Sequence, residues 1–364
     1  MSKPLITVLL CVHNGADCVA RAVQSILQQS FTDFELLIVN DGSSDQSGRV
    51  LTAFTDRRIR MIDNAANIGL TRSLNVGLRA ARGRFVARQD ADDWSHPQRL
   101  AAQVSALDRN PGTVLVGTQA KLMTTSGRRV PSAEWRKCTT PTAIKWQLLF
   151  ENPFVHTSVM FRRDIMLGEF GGYNESFQTN QDFELWSRVV RRYQTRNLPE
   201  ELVVLTDRAG SVSRRYDVEA LRQVRKVFLE TRNCFLGDRE SPAVDLDIFM
   251  TVFNQHIFAA IRDVRPFATA LDAVLENFVR RHSEAAFDSE IRRHCATLLA
   301  RVARAVASNP PKGFARVLLA TRRFDKRVFH HSLFPVAARV FAGPLWRSLR
   351  EHGRTPTAVL TREL

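Results

Sequence analysis

The sequence predicts an α/β protein: a Rossmann-like, mostly parallel sheet flanked by helices, followed by an α-helical C-terminal region. Three observations carry this prediction. Over residues 1–100, apolar runs of strand length alternate with stretches of helical periodicity, and such alternation implies a parallel sheet with crossover helices. Each run ends in small or polar residues: His13-Asn14-Gly15, Asp41-Gly42-Ser43 and Asp90 to Asp93. In such sheets ligands bind beyond the carboxyl ends of the strands. From about residue 213 the strand pattern stops and helical stripes take over.

Each element follows from its own pattern. "PLITVLLC" (4–11) is an unbroken apolar run, as expected of a strand buried on both faces. "DCVARAVQSILQ" (17–28) sets Val19, Val23 and Ile26 or Leu27 on one helical face. "FELLIVN" (34–40) and the short "RIRMID" (58–63) read as the second and third strands. "GLTRSLNVGLRAA" (69–81) is helical through Leu70, Leu74 and Leu78, and "RFVAR" (84–88) is the fourth strand. From about 113, "TVLVGTQAKLMT" (113–124), "HTSVMFRR" (156–163) and "LVVLTD" (202–207) read as strands of a mixed continuation. Between the last two lies a helix, "QDFELWSRVVRR" (181–192), whose stripe is Leu185, Trp186, Val189 and Val190. Later stripes are Leu221, Val224 and Phe228, then Leu246, Phe249, Phe253 and Ile257. Leu271, Val274, Leu275 and Phe278 follow, then Ile291, Leu298, Leu299 and Val302. "NPPKG" (309–313) ends the array.

Composition excludes several classes. The chain of 364 residues is 44% hydrophobic and 24% charged, which is globular and not disordered. Its five cysteines are scattered without a C-x-x-C pair, which argues against a disulfide framework or a zinc site and for a reducing compartment. Lys3 and "LITVLLCV" imitate a signal peptide, but the apolar part is short and no small-x-small cleavage site follows, so it reads as a buried strand. No stretch approaches the ~18 apolar residues of a membrane span. The net charge of +15 is concentrated at the C-terminus, where residues 301–364 hold 13 Lys+Arg against 3 Asp+Glu. A basic tail suits an anionic lipid, nucleic acid or acidic glycan.

The densest chemistry is "RQDADDW" (88–94). Asp90, Asp92 and Asp93 crowd one strand end, where like charges repel one another unless a counterion is expected. A divalent cation answers this, since Mg²⁺ and Mn²⁺ take one or two carboxylates plus phosphate oxygens and water. Asp90 and Asp92 have the spacing that puts two strand side chains on one side. The alternative is a solvated acidic turn, with Asp93 capping a helix that starts near His96-Pro97. "VNDGSSD" (39–45) puts Asp41 at another strand end, either to accept hydrogen bonds from a base or ribose or simply as a turn residue. "NIGLTRSLN" (67–75) opens a helix whose first amides can face an anion. Asp182 opens the helix at 181, either turned inward beside Leu185 and Trp186 or merely favoured there by the macrodipole.

Together, "VLLCVHNGADCVARAVQSILQQSFTDFELLIVNDGSSDQS" and "NIGLTRSLNVGLRAARGRFVARQDADD" resemble the nucleotide-sugar half of the family 2 glycosyltransferases, across roughly residues 4–205. The resemblance implies the GT-A fold and an inverting transfer of sugar from a nucleotide-diphospho-sugar donor to a carbohydrate or lipid-linked acceptor. It implies Mn²⁺ or Mg²⁺ as cofactor, with Asp92 as metal ligand and Asp93 behind it. It implies Asp41 at the base or ribose, Asp90 near the ribose, and His13 beside the nucleobase, where relatives often carry Tyr. Cys11, Asn14, Asn67, Asn75 and Arg88 complete the implied donor site, with Arg88 offsetting the acidic charge. Gln181-Asp182 matches the general-base position, so Asp182 is the expected base. His156, Gln181 and Trp186 are acceptor-side candidates, although a lone His is usually structural and Trp186 also suits core packing. Arg162 and Arg163 are either solvated edge charges or contacts to a leaving diphosphate.

The expected domains are a catalytic domain at 1–212, a helical region at 213–308 and a basic amphipathic tail at 309–364. Residues 314–350 mix apolar positions with Arg316, Arg322, Arg323, Lys326, Arg327, Arg339, Arg347 and Arg350. Short helices of this kind either lie on anionic membrane or cover the protein. The expected location is therefore cytoplasmic, with peripheral attachment at the inner face of the membrane. Two rival functions stand beside this reading. A nucleotidyltransferase also uses Asp-x-Asp beyond a parallel sheet, but has no need of Gln181-Asp182. A non-enzymatic basic binder would carry basic and aromatic residues, not carboxylates, at the strand ends, so no nucleic-acid partner is expected. A NAD-linked enzyme is disfavoured because no G-x-G-x-x-G follows the first strand.

Overall fold

Eight strands share one sheet in the computed structural model, which describes residues 3–130, 136–208, 218–237, 264–305, 307 and 314–333. The N-terminal part alternates as its periodicities require: β1 (Ile6–Val12), α1 (Val19–Leu27), β2 (Phe34–Asn40), α2 (Ser47–Thr52), β3 (Ile59–Asp63), α3 (Leu70–Ala80) and β4 (Phe85–Asp90). β1 lies between β2 and β4, β3 flanks β2, and all three pairings are parallel. Every residue of β1 is buried, which is why the strand reads as a continuous apolar run and not as an alternation. Val19, Val23 and Ile26 of α1 are sealed against one side of the sheet in a core with Ile6, Val8, Leu10 and Leu36.

Next come β5 (Trp94–Ser95), α4 (Arg99–Arg109), β6 (Thr113–Thr124), α5 (Pro141–Leu148), β7 (Met160–Arg162), α6 (Arg163–Gly168), α7 (Gln181–Arg192) and β8 (Gln194–Asp207). The sheet order is β3-β2-β1-β4-β7-β6-β8-β5. β7 is antiparallel to β4 and β6, whereas β8 runs parallel to β6 and antiparallel to β5. The mixed continuation expected from about 113 is therefore present. The strand expected over "HTSVMFRR" is shorter: His156–Ser158 form a 3₁₀ turn, and only Met160–Arg162 pair. Ser158 closes that turn, with its N–H and its hydroxyl both donating to Val155 O at 2.8 Å.

The chain divides into two compact units, Met1–Thr231 and Arg232–Leu364, with the helix α8 (Val218–Leu236) spanning the division. The second unit contains α9 (Arg265–Arg281), α10 (Ser289–Ala305) and α11 (Phe314–Phe324). Their expected stripes are its interior: Leu271, Val274 and Phe278 of α9 and Ile291, Leu298, Leu299 and Val302 of α10 are buried. The stripe at Leu246 to Ile257, the "NPPKG" break and residues 334–350 lie outside the described residues. Among the described residues no helix is long and apolar enough to cross a membrane.

Candidate active site at the carboxyl edge of the sheet

β1, β2 and β4 all end on one edge, so the residues after them are neighbours by topology. The loop after β2 is fixed first. Asp41 is only 3% exposed, and it accepts from Asn64 Nδ2 at 2.9 Å, Ile68 N–H at 2.9 Å and Gly69 N–H at 3.0 Å. Burial pushes this carboxyl up, but the bonds from Ile68, Asn64, Ser73 and Gly69 outweigh it and hold it below the usual carboxylate range. Gly42, at φ 62°, lies so close to the next loop that a Cβ would stand 2.3 Å from the Ala66 carbonyl carbon. Only glycine gives both that backbone and that approach.

The loop after β1 leans on this one. His13 Nδ1 donates to Asp41 O at 2.8 Å, and Asn14 Nδ2 donates to His13 Nε2 at 3.2 Å, so hydrogen on Nδ1 satisfies both contacts. Asn14, itself at φ 52°, accepts from Ser44 N–H at 2.8 Å and Asp45 N–H at 3.3 Å. His13 remains exposed. Asn67 is also exposed, and its Oδ1 accepts from Gly69 N–H at 2.9 Å. Asn75 is buried and committed elsewhere. Its amide donates to Tyr173 O at 2.8 Å and Glu175 Oε1 at 3.0 Å, and accepts from Tyr173 N–H at 2.9 Å.

The acidic segment sits at the end of β4. The Arg88 side chain is fully buried and pairs with Asp90 Oδ1 at 2.5 Å, so the charge offset expected of Arg88 is present as an ion pair. Burial and the Asp90 charge push the Asp92 carboxyl up, against the weaker pull of Arg208 and Arg88. Burial, with Asp90 and Asp92, pushes Asp93 well above the usual range. Asp93 does not cap a helix at His96-Pro97, because α4 starts only at Arg99. Instead β5 pairs with Val203 and Val204 of β8, which carries the segment beneath the end of that strand. There Thr206 N–H donates to Asp93 Oδ1 at 3.1 Å, and its hydroxyl donates to Asp92 O at 2.7 Å. Among the described residues no three His, Cys, Asp or Glu side chains converge as an all-protein metal cage would need. Asp92 beside Asp90 fits the other arrangement, in which a hard cation takes one or two carboxylates and draws its remaining oxygens from phosphate and water.

On the other side stand the turn at 156–158 and the start of α7. His156 Nε2 lies 3.1 Å from Tyr173 Oη. Burial and the Arg88 charge push the His156 imidazole down, while Asp182 and Asp90 pull the other way. Burial pushes the Tyr173 phenol up, and the same Arg88, Asp182 and Asp90 charges act on it. His156 and Tyr173 are thus within electrostatic reach of both carboxylate groups. Cys11, at the end of β1, is in the same field, and burial pushes its thiol up to about 12 against the pull of Arg88. Asp182 is half-buried and accepts from Asn152 Nδ2 at 2.7 Å.

The structure therefore gathers Cys11, Arg88, Asp90, Asp92, His156 and Asp182 at one edge, with His13, Asp41 and Asn67 at its β2 side. Gln181 and Trp186 are both buried, and Trp186 packs among Phe154, His156, Phe161 and Tyr173. Arg162 and Arg163 face neither role expected of them. Arg162 pairs in register with Phe85, at the start of β4 and so at the far edge, and donates to Thr113 O and Leu107 O, each at 3.0 Å. Arg163 donates to Ala81 O.

Sequence reasoning missed Asn152, Tyr173, Thr206, Arg99 and Thr157, whose hydroxyl accepts from Asp90 N–H at 2.9 Å. Arg99 is fully buried, and its guanidinium donates to Arg88 O, Gln89 Oε1 and Ser95 Oγ beneath the acidic segment. Burial, with Arg88, pushes it down to about 9. A signal existed for Asn152 in the Asn-Pro turn of "ENPFVH". None existed for Arg99, which reads as the first residue of an ordinary helix.

Comparison with known proteins agrees with this fold. The profile of the family described as Glycosyl transferase family 2 matches residues 7–168. An uncharacterized glycosyltransferase of Haemophilus influenzae is 27% identical over 242 residues, covering 64% of this chain and 75% of that one. The O-antigen biosynthesis glycosyltransferase WbnJ of Escherichia coli is 30% identical over 191 residues, covering 51% of this chain and 72% of its own. Among solved structures, S. aureus TarS 1-349 in complex with UDP-GlcNAc superposes with a TM-score of 0.55 at 16% identity, covering 89% of this chain and 90% of that one. At that identity the likeness is one of fold.

Proposed function

Because this chain belongs to glycosyl transferase family 2, we propose that it moves a sugar, with inversion at the anomeric carbon, from a nucleotide-diphospho-sugar to an acceptor hydroxyl in surface polysaccharide or glycolipid synthesis. The chain is a glycosyltransferase and has the GT-A fold. The observation that carries the finer reading is the grouping of an acidic pair, Asp90 and Asp92, with a separate carboxylate, Asp182, such that Asp90 and Asp182 both act on His156 and Tyr173. The fold likeness to a protein complexed with UDP-GlcNAc and the O-antigen role in the name of the E. coli relative support the donor and product classes.

The loops after β1 and β2, through His13 and Asp41, receive the nucleoside in this reading. Asn67 opens the turn whose amides run toward α3, while Asn14 and Asn75 hold loops in place. Asp92, with Asp90 beside it, would hold Mn²⁺ or Mg²⁺, which when bound supplies electrostatic stabilisation to the departing diphosphate. Arg88 pairs with Asp90 and orients it. Asp182 takes the proton from the acceptor hydroxyl as its oxygen attacks, typically worth ~10²–10⁴-fold.

A panel of nucleotide-sugars assayed with Mn²⁺, with Mg²⁺ and in EDTA tests this. The expected outcome is turnover of one donor class that is lost in EDTA. Asp182→Asn is expected to bind that donor normally and to lose at least ~10² in kcat. Near-normal kcat in the variant would return Asp182 to the role of a helix-terminal residue, and equal activity in EDTA would remove the metal.

A further inference from the structure

We infer that Asn152 is the positioning residue of the base, fixing which carboxylate oxygen of Asp182 faces the acceptor. The inference rests on the reading of Asp182 as that base. The Asn152 amide donates to Asp182 Oδ2 at 2.7 Å, a charge-assisted bond that leaves Oδ1 as the oxygen with no hydrogen bond among the described residues. The amide has only one workable orientation. Its Oδ1 accepts from Phe154 N–H at 3.1 Å, the first main-chain donor after Pro153, which has none. A flipped amide would set oxygen against the Asp182 carboxylate and NH₂ against the Phe154 N–H, losing both bonds.

The Asn152 backbone is held as firmly. Lys137 Nζ donates to Asn152 O at 2.8 Å. Lys137 is itself fixed by the buried Gln119 of β6, which accepts from its N–H at 2.9 Å and donates to its carbonyl at 2.8 Å. From β8, the buried Asn197 donates to Pro153 O at 2.9 Å and to Cys138 O at 2.8 Å. Two strands thus brace the 152–154 turn, while Asp182 stands on the first turn of α7. A base carried on one element and aimed by another that is rigidly anchored is the arrangement that preorganised proton transfer needs.

A double-mutant cycle on the full chain tests it, reading transfer kcat, donor KM and thermal midpoint in wild type, Asn152→Ala, Asp182→Asn and the double variant. Asn152→Ala is expected to lower kcat roughly 10- to 100-fold with donor KM nearly unchanged. In the Asp182→Asn background, where no base remains to aim, the same change is expected to cost less than about twofold. Asn152→Asp keeps the shape and the Phe154 contact but replaces the donor by a like charge, and is expected to lower kcat at least as much as alanine. It serves as the test if the alanine variant does not fold. Equal losses in both backgrounds, a rise in donor KM in place of the fall in kcat, or a normal kcat in Asn152→Asp would each overturn the inference. Failure of the base reading is distinguishable, because it shows as near-normal kcat in Asp182→Asn alone.

Discussion

Asp41 shows how much a single residue at a strand end can be asked to do. Its carboxylate is buried beneath the loop after β2, yet three donors from the 64–69 segment keep it ionised. The amide of Asp41→Asn can accept at one oxygen only, so at least one buried N–H would face NH₂. We expect the variant to lose about 1–3 kcal/mol at neutral pH, since bonds to a charged group are the strong ones. Because the folded-state value is depressed, that stability is present above the ordinary carboxylate value of about 3.9 and is lost as pH falls through the folded value. Urea titrations of wild type and variant should therefore differ fully at pH 7 and converge in acid below about 3.9. A constant difference would show that the effect is steric and not ionic. The strand ends were legible because polar and acidic residues interrupt the apolar runs there. The partners were not legible: Asn75 reads like a polar site residue but is spent on Tyr173 and Glu175, over a separation of about a hundred positions that only folding reveals.

Elements were legible where their faces differ. Strands β1, β2 and β4 and helices α1 and α3 follow their apolar patterns closely, since burial on both faces of a sheet leaves an unbroken apolar run and burial on one face of a helix leaves a periodic one. The 3₁₀ turn at His156–Ser158 was misread because "HTSV" carries β-favouring residues, while the local hydrogen bonds of Ser158 decide its shape. Helix α3 supplies a prediction at this scale. Gly77 lies where the helix meets the sheet, and a Cβ there would stand 2.2 Å from Leu9 Cδ1 and 3.1 Å from Val39 Cγ2. Alanine gains about 0.5–1 kcal/mol of helix propensity, but overpacking a closed core costs typically ~1–3 kcal/mol. Leu9 is 1% exposed and has little room to retreat, so the packing term wins. Gly77→Ala should lower the urea midpoint of the catalytic unit with no change in m-value. A raised midpoint would mean that Leu9 repacks at little cost.

At the scale of the whole molecule the open question is what the basic C-terminus contacts. The amphipathic reading of residues 314–350 divides in two. In α11 the apolar face is already used: Phe314, Val317, Leu318 and Thr321 are buried within the second unit. That helix therefore cannot also insert its apolar face into a bilayer, and its contribution to membrane binding reduces to charge. Of the charges described, Arg323 is paired with Asp272, while Arg316, Lys326 and Arg327 are exposed. Basic residues near an anionic surface are worth about 1 kcal/mol each, so neutralising these three removes about 3 kcal/mol, roughly a hundredfold in partitioning. We expect the full chain to float with anionic vesicles at low salt and to be released as salt shortens the Debye length below about 8 Å. The triple variant Arg316→Gln, Lys326→Gln, Arg327→Gln should remain largely in the soluble fraction, with its secondary structure unchanged by circular dichroism. Equal flotation of the two proteins would place the contact elsewhere. Flotation indifferent to salt or to lipid charge would mean that apolar insertion, and not the charge of this unit, holds the enzyme at a membrane.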